Sequence, residues 1–238
     1  MAVARLTTVE KALRVLAAVA DNQPISGSQL SRDLDLDKNA IQRILVTLGH
    51  QGWLQQDRRV GGWRLGPQSL VVGGRYAGAL RERAHPVLHD LATETGETVT
   101  LWAVEGDAFT VVDGVESTQT LRGTIPIGYS ASITEGGDFM AFCDAFTRER
   151  LMDSNALTAM TDERVEHIRE QGYYVVDTEY ASTIAVGAPV WDSRPLPVAA
   201  ILLVAPADRL QGDALAATGA RVAEAAGGLS SGRQRRAG

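Results

Sequence analysis

Apolar residues recur with helical spacing through the first fifty positions of the chain. Val9, Ala12, Leu13, Leu16 and Ala20 fall on one face of a helix over 9–20, and Thr7 with Glu10 three residues on has the spacing of a capping box. Asn22, Gln23 and Pro24 break this helix. A second short helix is predicted from Ser26 to Leu34, with Ser26 and Gln29 as another capping box and Leu30 and Leu34 turned inward. Asp35 and Leu36 form a tight turn into a third helix. There Ile41, Ile44, Leu45 and Leu48 make one apolar stripe, Asp37 is the N-cap and Gly52 the stop. The opposite side of the third helix carries Lys38, Asn39, Gln42, Arg43 and Val46. Two short helices joined by a turn of about four residues predict a helix-turn-helix, with the second as reader.

Downstream, 53–57 and 63–65 alternate as two strands, and the connection 58–62 contains two glycines and two arginines. This predicts a hairpin wing, with Arg58, Arg59 and Arg64 facing phosphates or a minor groove. From Pro67 onward the pattern predicts a connecting helix to about Arg83, then a new helix from Pro86 to Thr95 ended by Gly96. Strands are expected over 98–104, 109–112 and 119–122, and a loop over 123–137. Helical patterns follow over 138–146 and 148–152, and from Thr161 to Gly172. Strands return at 173–176, 184–191 and 198–204, and an Ala-rich helix covers 208–227. Mixed strands flanked by helices argue α+β for this half.

Charge separates the two parts. Residues 1–66 hold nine Lys or Arg against six Asp or Glu, a net +3. The chain as a whole is −6, which leaves −9 for residues 67–238. A basic head on an acidic body suits a DNA reader attached to a domain that avoids DNA. The length, 238 residues, allows two modest domains, and the 45% hydrophobic and 22% charged composition is that of an ordinary globular protein. No run of about eighteen apolar residues predicts a membrane span, and no basic-then-apolar leader opens the chain. Cys143 is the only cysteine, which excludes an intrachain disulfide, and cytoplasmic residence is expected. The Gly-, Ser- and Arg-rich tail from Gly227 is expected to be disordered and to solubilise the chain, with weak DNA contact by Arg233, Arg235 and Arg236 as the alternative.

Several patterns imitate chemistry. His85 and His89 have a metal-ligand spacing, but no third ligand accompanies them and Pro86 lies between. Glu135 and Asp138 pair two carboxylates across two glycines, an arrangement more typical of a charged turn than of acid–base work. Cys143 sits in an apolar stretch and is read as a packed small hydrophobe. No nucleophile elbow, phosphate loop, dinucleotide fingerprint or Cys/His array is present. No enzyme activity, metal or cofactor is expected.

The segments VEKALRVLAAV, DKNAIQRILVTLGHQGWL, GGWRLGP, HPVLHDLATETGETVTLWAVEGD, REQGYYVVDTEY and IAVGAPVWD occur here in order. With that order and spacing, the chain from about Thr7 to about Arg209 resembles the IclR family of bacterial transcription regulators. The resemblance implies a winged helix-turn-helix over 1–66, a linker helix over 67–84, and an effector-binding domain over 85–228 with a GAF/PAS-like antiparallel sheet flanked by helices. The tail, 229–238, would be disordered. It implies a homodimer joined through the DNA-binding domains, or a dimer of dimers, with operator DNA and a small organic effector as partners and no membrane. It places DNA contacts at Lys38, Asn39, Ala40, Gln42 and Arg43. It places the effector near Ile133, Thr134, Glu135, Gly136, Gly137 and Asp138, with Leu121 and Tyr129 at the wall. The other side would be Asp177, Glu179 and Thr183 to Val186, including Ile184 and Ala185. The chain departs from the family pattern in this loop, at Ser132-Ile133-Thr134, at Phe139-Met140 and at Ser182. No Arg or Lys lies within these segments, which argues against a simple carboxylate ligand.

The function this implies is a ligand-responsive repressor or activator of an operon for small-molecule catabolism. Effector binding would shift the linker and change the spacing of two reader helices in successive major grooves, a coupling that must be reciprocal. Two rival readings remain at this point. One is a constitutive DNA-binding protein whose second domain only oligomerises, favoured by a filled core in place of a pocket. The other is an enzyme with a DNA-docking head, which needs a catalytic set in the acidic half.

Overall fold

The computed structural model describes residues 5–57, 59, 61–177, 182–194 and 196–231. The chain divides into two compact units, residues 1–76 and 77–238. The first contains α1 (Thr7–Asn22), α2 (Gly27–Asp33), α3 (Lys38–His50), the antiparallel strands β1 (Leu54–Gln56) and β2 (Trp63–Leu65), and α4 (Pro67–Gly73). Val15 and Val19 of α1, Leu30 of α2, and Ile41, Ile44 and Leu45 of α3 form a dry core with Ile25 and Leu54. Trp63 bridges to Ile25, which extends the wing by one backbone pair.

The local signals hold unevenly. The Ser26–Gln29 capping box is present in both directions, each bond 3.2 Å long. The Thr7–Glu10 box is not formed. Thr7 is already inside the helix, Leu6 is the N-cap with no side-chain bond, and Glu10 reaches Arg5 instead at 3.6 Å. The buried stripe of α1 is also rotated from the expected one. Ala12, Val15, Leu16 and Val19 face the core, and Leu6, Val9 and Leu13 are exposed. Both stripes are apolar, so periodicity alone does not choose between them.

The second unit is a six-stranded antiparallel sheet with order β5-β4-β3-β8-β7-β6. Its strands are β3 (Thr98–Glu105), β4 (Ala108–Val115), β5 (Ser130–Ser132), β6 (Tyr174–Asp177), β7 (Thr183–Val190) and β8 (Ala199–Pro206). One face is covered by α5 (Gly78–Thr95) and α9 (Gly212–Leu229), through Ala84, Leu88, Val222 and Ala226 against Leu101, Val186, Ile201 and Leu203. The other face packs under a 3-10 segment (Ile133–Phe142) and α8 (Asp162–Gln171), with α6 (Ala145–Leu151) and α7 (Ser154–Ala159) between them in sequence. With both faces covered, β8 reads as one uninterrupted apolar run and all eight residues are buried.

Several expected elements differ. The helix expected over 67–84 is divided: α4 ends at Gly73, and α5 begins after Ala77, whose φ is +53°. Pro86 does not start a helix but lies inside α5. Its lost hydrogen bond is offset by burial of Ala84, Leu88, Leu91 and Ala92. No strand forms over 119–122. Side chains satisfy that backbone instead: Ser117 Oγ accepts from Gln119 N at 3.1 Å, and Arg209 Nη2 donates to Leu121 O at 2.9 Å. The tail is ordered further than expected. α9 runs to Leu229, Ser230 Oγ accepts from Trp191 N and Ser231 N donates to Trp191 O, both at 2.9 Å. Arg233, Arg235 and Arg236 lie outside the described residues.

Candidate nucleic-acid interface and effector site

α3 begins where Asp37 accepts from the backbone N–H groups of Asn39 at 2.8 Å and Ala40 at 3.1 Å. It ends before Gly52, whose φ of +75° disfavours any residue with a Cβ. Burial of Ile41, Ile44 and Leu45 fixes its rotation, and Lys38, Asn39, Gln42, Arg43 and Val46 are turned outward. Ala40 is half-buried at the edge of this face. Among the described residues, the side chains of Lys38, Asn39, Gln42 and Arg43 have no intramolecular hydrogen bond or ion pair. Two cations and two amides on one helical face are the donor and acceptor set that pairs with base edges and phosphates.

The wing is less uniform. Arg59 is exposed, and its backbone N–H donates to Asp57 Oδ1 at 2.8 Å. Arg64 is half-buried and forms an ion pair with Asp57, so part of its charge is answered within the wing. Arg58 lies outside the described residues.

In the second unit the expected effector residues separate into groups. Ile133 and Ala185 are brought together in a buried layer with Phe109, Phe139, Phe142, Tyr174 and Trp102. The rings of Phe109 and Phe139 are 4.6 Å apart edge to face, and those of Phe139 and Tyr174 5.6 Å apart. Tyr129 stands at the border of this layer, edge-on to Trp102 at 5.9 Å. Ile184 points to the opposite face of the sheet, where it packs with the α5 and α9 layer. Adjacent strand residues face opposite ways, so Ile184 and Ala185 cannot line one cavity. Leu121 is 64% exposed and its carbonyl is held by Arg209. Thr183 is half-buried at the start of β7. Asp177 pairs with Ile184 through the backbone; its side chain, and Glu179, lie outside the described residues.

The polar groups of the 3-10 segment are engaged internally. Ser132 and Glu135 form a capping box, with Glu135 Oε1 accepting from Ser132 N at 2.9 Å, and Thr134 Oγ1 lies 2.8 Å from Ser132 Oγ. Asp138 is gripped by Arg164 of α8 through three bonds of 2.9–3.0 Å. The segment breaks at the Gly136-Gly137 pair, where Gly137 has φ +55° and ψ −116°. Sequence reading missed Phe139, Phe142 and Tyr174. In a chain with only four Phe, the Phe139–Phe142 spacing beside the loop was the available signal. It also missed Arg164, which no local pattern connects to Asp138.

Two buried groups behind the segment are unusual. Tyr174 lies over Gly187 so closely that no Cβ fits there, and its hydroxyl is buried with no hydrogen-bond partner among the described residues. Cys143 is buried beside it, and burial, reinforced by Asp144, pushes its thiol up to about 11.

An open cleft of about 550 Å³ lies elsewhere, bordered by Glu94, Glu97, Gln119, Arg209, Thr218 and Arg221 on the α5 and α9 face. Its charges already answer one another, Arg209 with the buried Glu97 at 2.7 Å and Arg221 with Glu94. Size alone therefore does not mark it as the effector site. His85 bonds Asp113 at 3.1 Å, His89 approaches Asp90 at 3.7 Å, and no group of three metal-ligating residues occurs among the described residues. Among them, too, no helix is long and apolar enough to cross a membrane.

Comparison with known proteins matches both units. Residues 8–58 match the IclR helix-turn-helix domain, and residues 77–231 match the C-terminal domain of the bacterial transcriptional regulator IclR. The HTH-type transcriptional regulator BhcR of Paracoccus denitrificans is 27% identical, over 95% of this chain and 87% of its own length. The crystal structure of an IclR-type transcriptional regulator from Alicyclobacillus acidocaldarius superposes with a TM-score of 0.79 at 20% identity, covering 95% of this chain and 98% of that one. An IclR homolog from Microbacterium hydrocarbonoxydans, crystallised with 4-hydroxybenzoate, superposes at 0.77 with 19% identity, covering 94% and 97%. The helix-turn-helix unit and the helix-flanked antiparallel sheet thus have their counterparts in one group of proteins, and the chain belongs to the IclR family of DNA-binding transcriptional regulators.

Proposed function

We propose that this regulator reads an operator with the outward face of α3 and senses a small organic effector beneath the 3-10 segment of its second unit. The observation that carries the first half is the split of α3, whose apolar stripe is buried while Lys38, Asn39, Gln42 and Arg43 stand outward without internal partners. Ala40 is small enough for the backbone to approach a base edge. Arg58, Arg59 and Arg64 of the wing contact phosphates, with Arg64 the weakest because Asp57 already holds it. The protein acts as a homodimer or a dimer of dimers. The exposed Leu6, Val9 and Leu13 at the start of α1 and Leu70, Val71 and Val72 on α4 support apolar self-association of the DNA-binding part. A dimer places two α3 helices in successive major grooves of a near-palindromic site. Its site of action is the cytoplasm, where operator DNA lies, and its targets are genes of small-molecule catabolism.

The effector site comprises residues 133–138, with Tyr129, Thr183 and Ala185, against the aromatic layer. That layer is closely packed, so binding requires the 3-10 cover to swing, and the Gly136-Gly137 break supplies the hinge. The complex of a family member with 4-hydroxybenzoate supports a small organic molecule as the effector class.

The test uses the DNA upstream of the gene. Arg43→Ala is expected to weaken specific binding by roughly 1–3 kcal/mol, whereas Arg59→Ala weakens all sequences alike and lowers the salt slope by about one. Unchanged operator affinity in Arg43→Ala removes that residue from the interface. For the effector, a ligand that raises the melting temperature must also change operator affinity. If it binds and operator affinity stays constant, the protein is a constitutive DNA binder.

A further inference from the structure

Arg148 of α6 and Arg169 of α8 converge on one backbone oxygen. Arg148 Nη1 donates to Cys143 O at 2.6 Å, and Arg169 Nη2 donates to the same oxygen at 3.0 Å. Arg169 Nε also donates to Ala141 O at 2.7 Å. Arg148 is only 9% exposed, and Arg169 is half-buried. Among the described residues neither has a carboxylate within ion-pair distance, although Arg64, Arg164, Arg194, Arg209 and Arg221 each have one. The neighbouring acid, Asp144, is taken up by the Thr147 N–H at 2.7 Å, where it caps α6.

Two guanidiniums in this position are electrostatically incomplete. Carbonyl dipoles at the end of the 3-10 segment answer part of the charge, but a buried cation without a counter-ion is costly and two close ones repel. Burial, and then the charge of Arg148, pull the Arg169 pKa below its ordinary value. Among the described residues the carbonyl bonds leave N–H groups without a partner on both forks: Nε and Nη2 of Arg148, and Nη1 of Arg169. Because both forks touch one oxygen, they are near enough to share one small ion. The Nε–Nη2 edge left on Arg148 matches the spacing of carboxylate and phosphate oxygens, and Nη1 of Arg169 adds a further donor.

We propose that Arg148 and Arg169 form a binding site for a small oxyanion, a carboxylate or phosphate group, at the C-terminal end of the 3-10 segment. The ion ties together α6, α8 and that segment. The site stands independently of the operator and effector readings, since it uses none of their residues.

The experiment is thermal unfolding of the full chain at constant ionic strength, with chloride replaced by inorganic phosphate in one arm and acetate in the other. At tenfold above half-saturation the melting temperature is expected to rise by about 3–6 °C. A rise with phosphate alone assigns the site to phosphate groups, with acetate alone to carboxylates, and with both to either. No rise beyond chloride in either arm overturns the proposal. Arg169→Gln is expected to abolish the rise. Arg169→Lys, which keeps the charge and loses the fork, raises the half-saturating concentration several-fold, and this variant decides if the Gln variant does not fold. Arg43→Ala, on the DNA face, keeps the full rise. An undiminished rise in the Arg169 variants, or its loss in Arg43→Ala, places the ion elsewhere and overturns the proposal.

Discussion

α3 and the 3-10 segment at residues 133–142 are both short, both cap a hydrophobic layer and both carry conspicuous polar residues, yet they treat those residues in opposite ways. On α3 the side chains of Lys38, Asn39, Gln42 and Arg43 have no partner within the described residues, so they are available to an outside one. On the 3-10 segment Glu135, Thr134 and Asp138 are bonded to Ser132 and Arg164, and the apolar residues Ile133, Phe139 and Met140 are sealed beneath. A surface that binds DNA gains from donors already exposed and pre-positioned on a rigid helix. A cover over a buried site must instead hold itself shut, and its polar groups do that by pairing locally.

The comparison can be broken most directly by truncation beneath the cover. Phe139→Ala is expected to lower stability by about 3–5 kcal/mol, because its ring is fully buried among other rings. Gln42→Ala on the outward face of α3 is expected to stay within about 0.5 kcal/mol. Urea unfolding followed by circular dichroism measures both, and similar losses would erase the distinction between the two segments. Next in size are the caps. Asp37→Ala and Ser26→Ala are each expected to cost about 1 kcal/mol. Thr7→Ala costs much less, since Thr7 makes no cap bond; an equal loss would restore the capping box that the fold lacks.

Smaller still is Tyr174→Phe. Removing a buried hydroxyl without a partner is expected to leave stability within about 0.5 kcal/mol or to raise it. A loss of a full kcal/mol would mean that the hydroxyl has a partner in solution. The least change is expected at Cys143. With its thiol buried and its pKa pushed up to about 11, the native protein should not react with a thiol reagent at pH 8, and the unfolded chain should release one equivalent. Ready reaction of the native chain would show that the cover opens often, which would bring it closer to α3 in exposure.

Much of the first unit was legible in sequence because its signals are local. The Ser26–Gln29 box, the Asp37 cap, the Gly52 stop and the Ile41, Ile44, Leu45 stripe each involve residues within about one or two helical turns. Where two readings were locally equal, as with the alternative apolar stripes of α1, periodicity selected the wrong one. In the second unit the strand positions of β3, β7 and β8 were readable from β-branched and apolar runs. The stretch 119–122 was misassigned because its backbone is satisfied by the distant Arg209 and by Ser117. The expected effector set mixed Ile184 with Ala185 because a doubly buried strand gives no alternation to tell its faces apart.

The sequence by itself determined the helix-turn-helix, the polar face of its third helix, the charge contrast between the two parts and the family. These rest on order, spacing and composition, which are properties of the chain as written. Only the tertiary structure decided which side of the sheet each residue faces, which arginine holds Asp138 and which two meet at the Cys143 carbonyl. Those pairings join residues five to twenty-eight positions apart, and they exist because burying the sheet brings α6, α8 and the 3-10 segment onto one face. A cation that looked absent from the loop in sequence is delivered to it by packing.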